Sequence, residues 1–295
     1  MGSSRFNSSR YVTYSCSVLN DKTTDQIFNS NVIDPDMNPH DITMRESRDS
    51  EANPESNAII IGLDVTGSMG MVLDACIRNL GVLMEEIYNR KPISDPHIMC
   101  MGIGDVAAFD AAPLQVTQFE ADVRIAEQLQ KIYIERGGGS NNYESYTLPW
   151  YFAATRTSID CFEKRNKKGY LFTVGDKEIT PRLTRTEIEK VLGETIQQSY
   201  LSSEDLLDMA SEKYNIYHLM VEEGSHMRRN SSRVIDSWTR VIGQNAIRLP
   251  DHKKLAETVV TTIMINEGVS PQQAVSIWNN ETSESLSLSF NLRRD

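Results

Sequence analysis

The sequence predicts a doubly wound α/β fold, in which a mostly parallel six-stranded sheet carries helices on both faces and one antiparallel strand at its edge. Short apolar runs with the length of strands alternate with segments in which apolar residues recur at helical spacing. This alternation is typical of parallel strands joined by crossover helices. The short connection between the apolar runs His97–Ile103 and Leu114–Phe119 indicates an antiparallel hairpin at the sheet edge.

The first core element is the apolar run that begins at Ile59 and ends at Asp64, which has the length and composition of a buried parallel strand. A helix is predicted from Met69 to Tyr88, because its apolar residues fall on one face. The later predicted elements are, in chain order, strands His97–Ile103 and Leu114–Phe119, a helix around Ile125–Ile132, a helix Tyr146–Cys161, a strand Gly169–Gly175, helices Thr184–Leu192 and Ser203–Lys213, a strand Asn215–Val221, a helix Ser232–Val241, a strand Ala246–Leu249 and a helix Leu255–Ile265.

Composition divides the chain into three parts. Residues 1–56 form a polar N-terminal arm, rich in Ser, Asn, Asp and Pro, that we expect to be partly disordered because it can bury little apolar surface. Within this arm we expect residues 1–30 to be mobile and residues 45–49 to lie along the domain surface, held by charge pairs. The α/β domain spans residues 57–267. Residues 268–295 form a C-terminal extension, which we expect to be a loose tail from Ser283 onward.

The loop after the first core strand carries a carboxylate and two hydroxyls at alternate positions, Asp64, Thr66 and Ser68. In an open α/β sheet, ligands bind at the carboxyl ends of the strands, where this loop lies. Oxygen ligands of this kind suit Mg²⁺, Mn²⁺ or Ca²⁺ better than zinc. The sequence therefore predicts a divalent-cation site at this loop.

This loop resembles the metal-ion-dependent adhesion site of the von Willebrand factor type A domain family. The family pattern is Asp-x-Ser-x-Ser after the first strand, a Thr from a second loop and an Asp from a third. Asp64, Thr66 and Ser68 match the first element, with Thr in place of the first Ser, and this exchange keeps the hydroxyl ligand. The resemblance covers about residues 57–267 and implies a Rossmann-like fold.

Two later loops are assigned to the remaining family elements. Three consecutive glycines are followed by Ser140, which is assigned to the Thr position, with Asn142 as the alternative if the loop register differs. The apolar run from Gly169 ends in Gly-Asp, so Asp176 takes the third acidic position. The expected metal ligands are therefore Asp64, Thr66, Ser68, Ser140 and Asp176.

The resemblance implies a protein-binding module rather than an enzyme. In the family, a carboxylate of the partner protein fills an open position on the metal, so a partner that presents Asp or Glu is expected. Intracellular members work in multiprotein assemblies, often with AAA+ ATPases, which the resemblance implies as a class of partner. The chain also resembles uncharacterised phage and bacterial proteins of this family, and a structural role in such an assembly is an alternative.

A metal-dependent hydrolase is the other alternative, because a divalent cation with an open position can activate water. The sequence offers one cation site and no candidate base near Ser68, so catalysis is not expected. We expect Glu144 to serve the start of a helix and Lys177 to be solvated. Asp105 is expected to be structural, if its strand runs antiparallel to its neighbours. The five histidines lack the spacing of zinc ligands.

The overall composition excludes several other classes of partner. The net charge is −11 and no large basic cluster is present, so nucleic-acid binding is not expected. No apolar run reaches the roughly 20 residues of a membrane helix, and the N-terminus lacks the apolar core of a signal peptide. The four cysteines show no paired spacing and are expected to be buried thiols in a reducing compartment, which favours the cytoplasm.

Overall fold

The structure is a computed structural model that describes residues 4–135 and 141–292 of the 295-residue chain. Its strands are β1 (Arg45–Ser47), β2 (Asn57–Asp64), β3 (Pro96–Ile103), β4 (Leu114–Val116), β5 (Tyr143–Glu144), β6 (Thr157–Ile159), β7 (Gly169–Gly175), β8 (Glu178–Ile179), β9 (Arg182–Thr184), β10 (Tyr200–Ser202), β11 (Tyr214–Val221) and β12 (Ala246–Leu249). Its helices are α1 (Ser8–Tyr14), α2 (Thr24–Ile27), α3 (Gly70–Arg78), α4 (Leu80–Arg90), α5 (Arg124–Leu129), α6 (Thr147–Arg156), α7 (Asp160–Glu163), α8 (Arg185–Leu192), α9 (Ser203–Ser211), α10 (Ser225–Ile242), α11 (Leu255–Asn266), α12 (Pro271–Ser276) and α13 (Asn280–Ser289).

A six-stranded sheet with the order β12-β11-β7-β2-β3-β4 forms the centre of the molecule. The first five strands of this order are parallel, and β4 runs antiparallel to β3 at the edge. The predicted fold class is therefore confirmed, including its antiparallel edge strand. Because β2 lies between β7 and β3, the carboxyl ends of these three strands meet at one edge of the sheet.

Both faces of the sheet are covered by helices, which explains why every residue of β2 is buried. Ile59, Ile61 and Leu63 pack into one apolar cluster with α3, α4 and α11. Ala58 and Ile60 point the other way, into a second cluster with α6, α9 and α10. Alternate side chains of one strand thus belong to different cores, as expected of a central strand in a doubly wound sheet.

The helix predicted from Met69 to Tyr88 is broken in two at Asn79, between α3 and α4. The Tyr11 hydroxyl points its single proton between the carbonyls of Ile77 and Arg78, the second of which lies 3.0 Å from its oxygen. These carbonyls belong to the last turn of α3, where a helix has no internal partner for them. A distant segment therefore stabilises the break, and periodicity alone does not contain that information.

The N-terminal segment differs from the expected mobile arm. Residues 8–42 form α1, a π-helical turn, α2 and two 3₁₀ turns, and the side chains of Tyr11, Leu19 and Phe28 are buried. Leu19 and Phe28 join the same apolar cluster as α3 and α4. The apolar residues of this segment are few, and several of them reach the core, whereas Val12 and Val32 stay exposed.

Residues 45–49 run along the domain, and Glu46, Arg48 and Asp49 form the predicted charge pairs, whereas Arg45 and Ser47 are buried. Strand β1 pairs in parallel with β6, which interrupts the helix predicted over Tyr146–Cys161. Arg48 contacts the carboxylate of Asp160 at 2.9 Å, and Arg165 contacts that of Asp49 at 2.8 Å. The strand and the ion pairs together fix the segment to the domain.

The C-terminal segment also differs from the sequence-based expectation. Residues from Ser283 onward were expected to form a loose tail, but α13 spans Asn280–Ser289 and buries Leu286. Asn279 caps this helix by accepting a hydrogen bond from the backbone N–H of Thr282. None of the helices in residues 4–135 and 141–292 is long and apolar enough to cross a membrane.

Candidate metal site

Asp64 and Thr66 form a compact turn at the end of β2. The Asp64 carboxylate is completely buried, and its Oδ1 accepts the backbone N–H of Thr66 at 2.9 Å and the Thr66 hydroxyl at 2.7 Å. Gly67 follows with φ +46°, a conformation that glycine adopts without strain. The chain then enters the 3₁₀ turn Gly67–Met69 and α3. The turn places carboxylate and hydroxyl oxygens together at the edge of the sheet.

Glu144 belongs to this site, contrary to the expectation that it serves only a helix start. It lies in β5, which pairs with β8, and its side chain is completely buried. Its Oε1 lies 3.1 Å from the Thr66 hydroxyl and 2.5 Å from the Lys177 ammonium. Its Oε2 is buried and has no hydrogen-bond partner in the part of the chain that the structure describes. A buried carboxylate oxygen without a partner is costly unless a ligand meets it.

Lys177 was expected to be solvated, but the structure buries it: its side chain is only 12% exposed. Its backbone carbonyl accepts a hydrogen bond from the Trp238 indole at 2.9 Å, and its backbone N–H lies 3.4 Å from the Tyr146 hydroxyl. These contacts hold the main chain after β7, and the ammonium group extends from it to Glu144.

Tyr146 connects the two acidic loops of the site. Its hydroxyl donates to Asp64 Oδ2 at 2.8 Å, and the ring fits against Gly175, where a Cβ would lie 2.0 Å from the same hydroxyl. Asp176, directly after Gly175, is buried and accepts the backbone N–H of His226 at 2.9 Å, at the start of α10. Asp176 is close enough to Asp64 to raise the pKa of that group.

Asp105 lies on the same edge as Asp64, which corrects the expectation of a purely structural position opposite the site. The reason is that β3 runs parallel to β2. One Asp105 oxygen accepts the backbone N–H of Ala107 at 2.9 Å, and the other accepts the side chain of Asn141. In the second loop, the carbonyl of Asn142 accepts the backbone N–H of Glu178 at 3.2 Å.

The structure describes three of the five expected ligands in full, one only in its backbone, and one not at all. Asp64, Thr66 and Asp176 lie at the carboxyl edge of the sheet. Ser68 lies in the turn that begins α3, although its side chain is outside the described part. Ser140 falls outside the described residues. Sequence reasoning did not find Glu144 as a member of the site, because no local spacing relates it to Asp64.

The electrostatics of the site indicate a shortage of positive charge. Burial, opposed by the hydrogen bonds from Thr66, raises the pKa of Asp64 to about 6. Burial and the charge of Asp64 raise the pKa of Glu144 to about 8, although Lys177 opposes this rise. Burial alone would lower the pKa of Lys177, but Glu144, Asp64 and Asp105 raise it above its ordinary value. A bound cation would favour the ionised form of both carboxyl groups.

By the type of their donor atoms, the side chains at this edge could hold a hard divalent cation. Asp64, Thr66, Glu144 and Asp176 offer carboxylate and hydroxyl oxygens, the donors that Mg²⁺ and Ca²⁺ prefer. The buried Glu144 Oε2 without a hydrogen-bond partner supplies a free donor atom.

A second group of potential ligands lies after β11 and β12, where ligand atoms of Glu223, Asp251 and His252 are within 4.8 Å of one another. Glu223 Oε2 lies 2.6 Å from His252 Nδ1 and accepts the backbone N–H of the same residue at 2.8 Å. Asp251 accepts the backbone N–H of Lys253. These hydrogen bonds connect the loop after β11 to the loop after β12, so the cluster has a structural explanation.

No protein-family model and no curated protein matches the sequence. Among solved structures, the chain is similar to the pilus adhesin SpaC of Lactobacillus rhamnosus GG, with 9% identity and a TM-score of 0.49 over 72% of this chain and 31% of the adhesin chain. It therefore spans about a third of that protein.

Two further solved structures extend the comparison. One is a von Willebrand factor type A protein of Catenulispora acidiphila, with 11% identity and a TM-score of 0.40 over 72% of this chain and 43% of that one. The other is BatB of Bacteroides thetaiotaomicron, with 13% identity and a TM-score of 0.40 over 72% and 100% of the two chains.

Proposed function

We propose that this protein is a divalent-metal-dependent protein-binding module of the von Willebrand factor type A kind, which captures a carboxylate of its partner. The observation that carries the proposal is the buried group of Asp64, Thr66 and Glu144 at the carboxyl edge of β2. Its oxygens suit Mg²⁺, with Mn²⁺ and Ca²⁺ as alternatives. Asp176, from the end of β7, completes the acidic set.

Each side chain has a distinct role in this proposal. Thr66 offers its hydroxyl to the metal, and Ser68 and Ser140 are proposed to do the same. Asp64 and Asp176 bind directly or through water, and Tyr146 holds one Asp64 oxygen in place. When bound, the cation supplies an open coordination position for an anionic oxygen of the partner. The start of α3 lies directly behind this loop, and its N-terminal dipole favours the same anion.

The proposed partner is a protein that presents Asp or Glu, within an intracellular assembly that includes an AAA+ ATPase. Cys76, Cys100 and Cys161 are buried thiols, as expected, whereas Cys16 is exposed; on the buried thiols we propose a reducing compartment and place the module in the cytoplasm. Binding rather than hydrolysis is proposed, because the sequence offers one cation site and no candidate base near Ser68.

Calorimetric titration with Mg²⁺ and Mn²⁺ tests the proposal. We expect one divalent ion per chain and a raised melting temperature, because a ligand that binds only the folded state stabilises it by mass action. D64N and D176N should abolish both effects. D208N, which removes an exposed carboxylate on α9, should change neither. Absence of binding by the wild-type protein at millimolar metal would refute the proposal.

The partner is sought by affinity capture in Mg²⁺ and in excess chelator. A partner of the proposed kind is retained only with metal, and it is lost when its single essential carboxylate is replaced by an amide. Capture that continues unchanged in chelator would mean that another surface makes the interaction.

A further inference from the structure

The group of acidic residues at the candidate metal site already contains one cation of its own. The Lys177 ammonium lies 2.5 Å from Glu144 Oε1, and its side chain is largely buried. Asp64 and Asp105 are also near enough to interact with its charge. The three elements of the family pattern contain no lysine at this position.

Lys177 and Thr66 share one carboxylate oxygen. The Thr66 hydroxyl and the Lys177 ammonium lie 3.1 Å and 2.5 Å from the same Glu144 Oε1. A metal ion bound to the Thr66 hydroxyl would therefore lie within a few ångströms of the ammonium. Two positive charges at such a separation repel each other, and the repulsion is strong where burial lowers the effective dielectric.

The lysine side chain can leave without movement of the loop that carries it. The backbone of Lys177 is held by Trp238 and contacts Tyr146, both of which belong to the packed core. Only the four-carbon side chain connects this fixed point to the ammonium group. A lysine side chain is flexible, and its charge is strongly hydrated once it reaches water.

We propose that Lys177 is a built-in competitor of the divalent cation, which neutralises the Asp64–Glu144 group in the absence of metal and is displaced when metal binds. This inference rests on the proposed function. It makes Lys177 a residue that sets metal affinity: the protein stays folded without metal, and its site is filled only where the free cation is concentrated enough to displace the ammonium.

Calorimetric titration of four variants tests the inference. K177M and K177Q remove the charge, and K177Q keeps a polar group for Glu144. K177R keeps the charge. K168M is the matched control, because Lys168 is exposed and immediately precedes β7, whereas Lys177 follows the same strand at its other end.

We expect both neutral variants to bind Mg²⁺ at least about tenfold more tightly than the wild-type protein, because one nearby positive charge has been removed. K177R and K168M should bind as the wild-type protein does. In chelator, K177M should have a lower melting temperature than the wild type, and Mg²⁺ should raise it by a larger amount. A role of Lys177 in packing alone would lower the melting temperature without changing the affinity.

The outcomes separate this inference from the proposed function. If the wild type binds metal and both neutral variants bind it with the same or lower affinity, the competition is refuted and the metal-dependent module stands. If only the neutral variants bind, Lys177 excludes metal from the native chain, and both its displacement by metal and the metal-dependent module are refuted. If none of the proteins binds metal, both proposals fail.

Discussion

At the scale of single residues, the site depends on close contacts that leave no room for larger side chains. Asp176 is the clearest case. It follows β7 and packs against the start of α10, where only a glycine fits at residue 224. A Cβ at residue 224 would lie 2.2 Å from the Asp176 Cβ and 2.4 Å from its Oδ2. The carboxylate must then move, or α10 must move away from β7.

We therefore expect G224A to lower the free energy of unfolding by about 1–3 kcal/mol, the usual cost of overpacking. The same substitution should weaken Mg²⁺ binding, because Asp176 is displaced from the site. Chemical denaturation and metal titration measure the two effects. G70A is the matched control at the other side of the site, since its Cβ would make an ordinary 3.5 Å contact with Ile134. Equal effects of both substitutions would contradict the assigned role of Gly224.

At the scale of secondary-structure elements, the N-terminal segment acts as a structural part of the α/β domain. Tyr11 on α1 reaches the break between α3 and α4, and its ring lies where a Cβ on Gly81 would be, 2.6 Å from the nearest ring carbon. Burial raises the pKa of Tyr11 to about 12, so the hydroxyl keeps its proton and its donor function. Since α3 begins directly after the Asp64–Thr66 turn, the segment supports the helix behind the candidate site.

We expect Y11A to lower the free energy of unfolding by about 3 kcal/mol, because it removes a large buried ring. Residues 8–42 should then become accessible to limited proteolysis, whereas they should resist cleavage in the wild-type protein. Y11F keeps the ring and loses only the bonds to Ile77 and Arg78, so it should cost about 1 kcal/mol and leave the protease resistance intact. Rapid cleavage of the wild-type segment would show that it is not a stable part of the fold.

The elements also show what the sequence could and could not reveal. The Asp64–Thr66 turn and the position of Asp176 follow from local patterns, an apolar strand and the polar residues that end it. The contact of Glu144 with Lys177 depends on the pairing of two-residue strands, β5 and β8, which leaves no periodic signal. The N-terminal segment was misjudged because composition averages over many polar residues, whereas Leu19 and the few apolar residues like it decide its packing.

At the scale of the whole molecule, two completely buried histidines link folding to pH. His97 in β3 lies 3.1 Å from the Ser47 hydroxyl, and burial lowers its pKa from 6.5 to about 4. Burial also lowers the pKa of His218, which stacks on Trp238 in the core. A histidine whose folded-state pKa is lowered binds its proton more readily in the unfolded state, so acid favours unfolding.

The stabilising contribution of neutral His97 is therefore fully present above pH 6.5. It decreases as the pH falls below this value and is lost once the pH has fallen through about 4. The loss amounts to about 3 kcal/mol in the acid limit. We expect H97Q to show a smaller fall in unfolding free energy than the wild type between pH 6.5 and 4, measured by denaturation at each pH. H40Q, at an exposed histidine, is the control and should not change the slope.

The pH dependence of H97Q has to be compared with that of the wild type, because the acidic residues of the candidate site change the unfolding free energy with pH in the opposite direction. Asp64 and Glu144 have raised pKa values, so their effect on stability becomes less favourable as the pH rises. Identical pH profiles for wild type and H97Q would show that His97 is not held neutral by the fold.

Residues of the two terminal segments contact both edge strands of the central sheet, and this affects solubility. Val116 lies in a non-hydrogen-bonded pair of β4 with β3, so its carbonyl points away from the sheet, and Arg45 donates to it at 3.1 Å. At the opposite edge, α13 packs against β12. Sheet edges with free backbone groups recruit strands from other molecules. The two terminal segments therefore protect these edges from strand addition. A domain truncated to residues 57–267 would be prone to associate with other copies through its sheet edges.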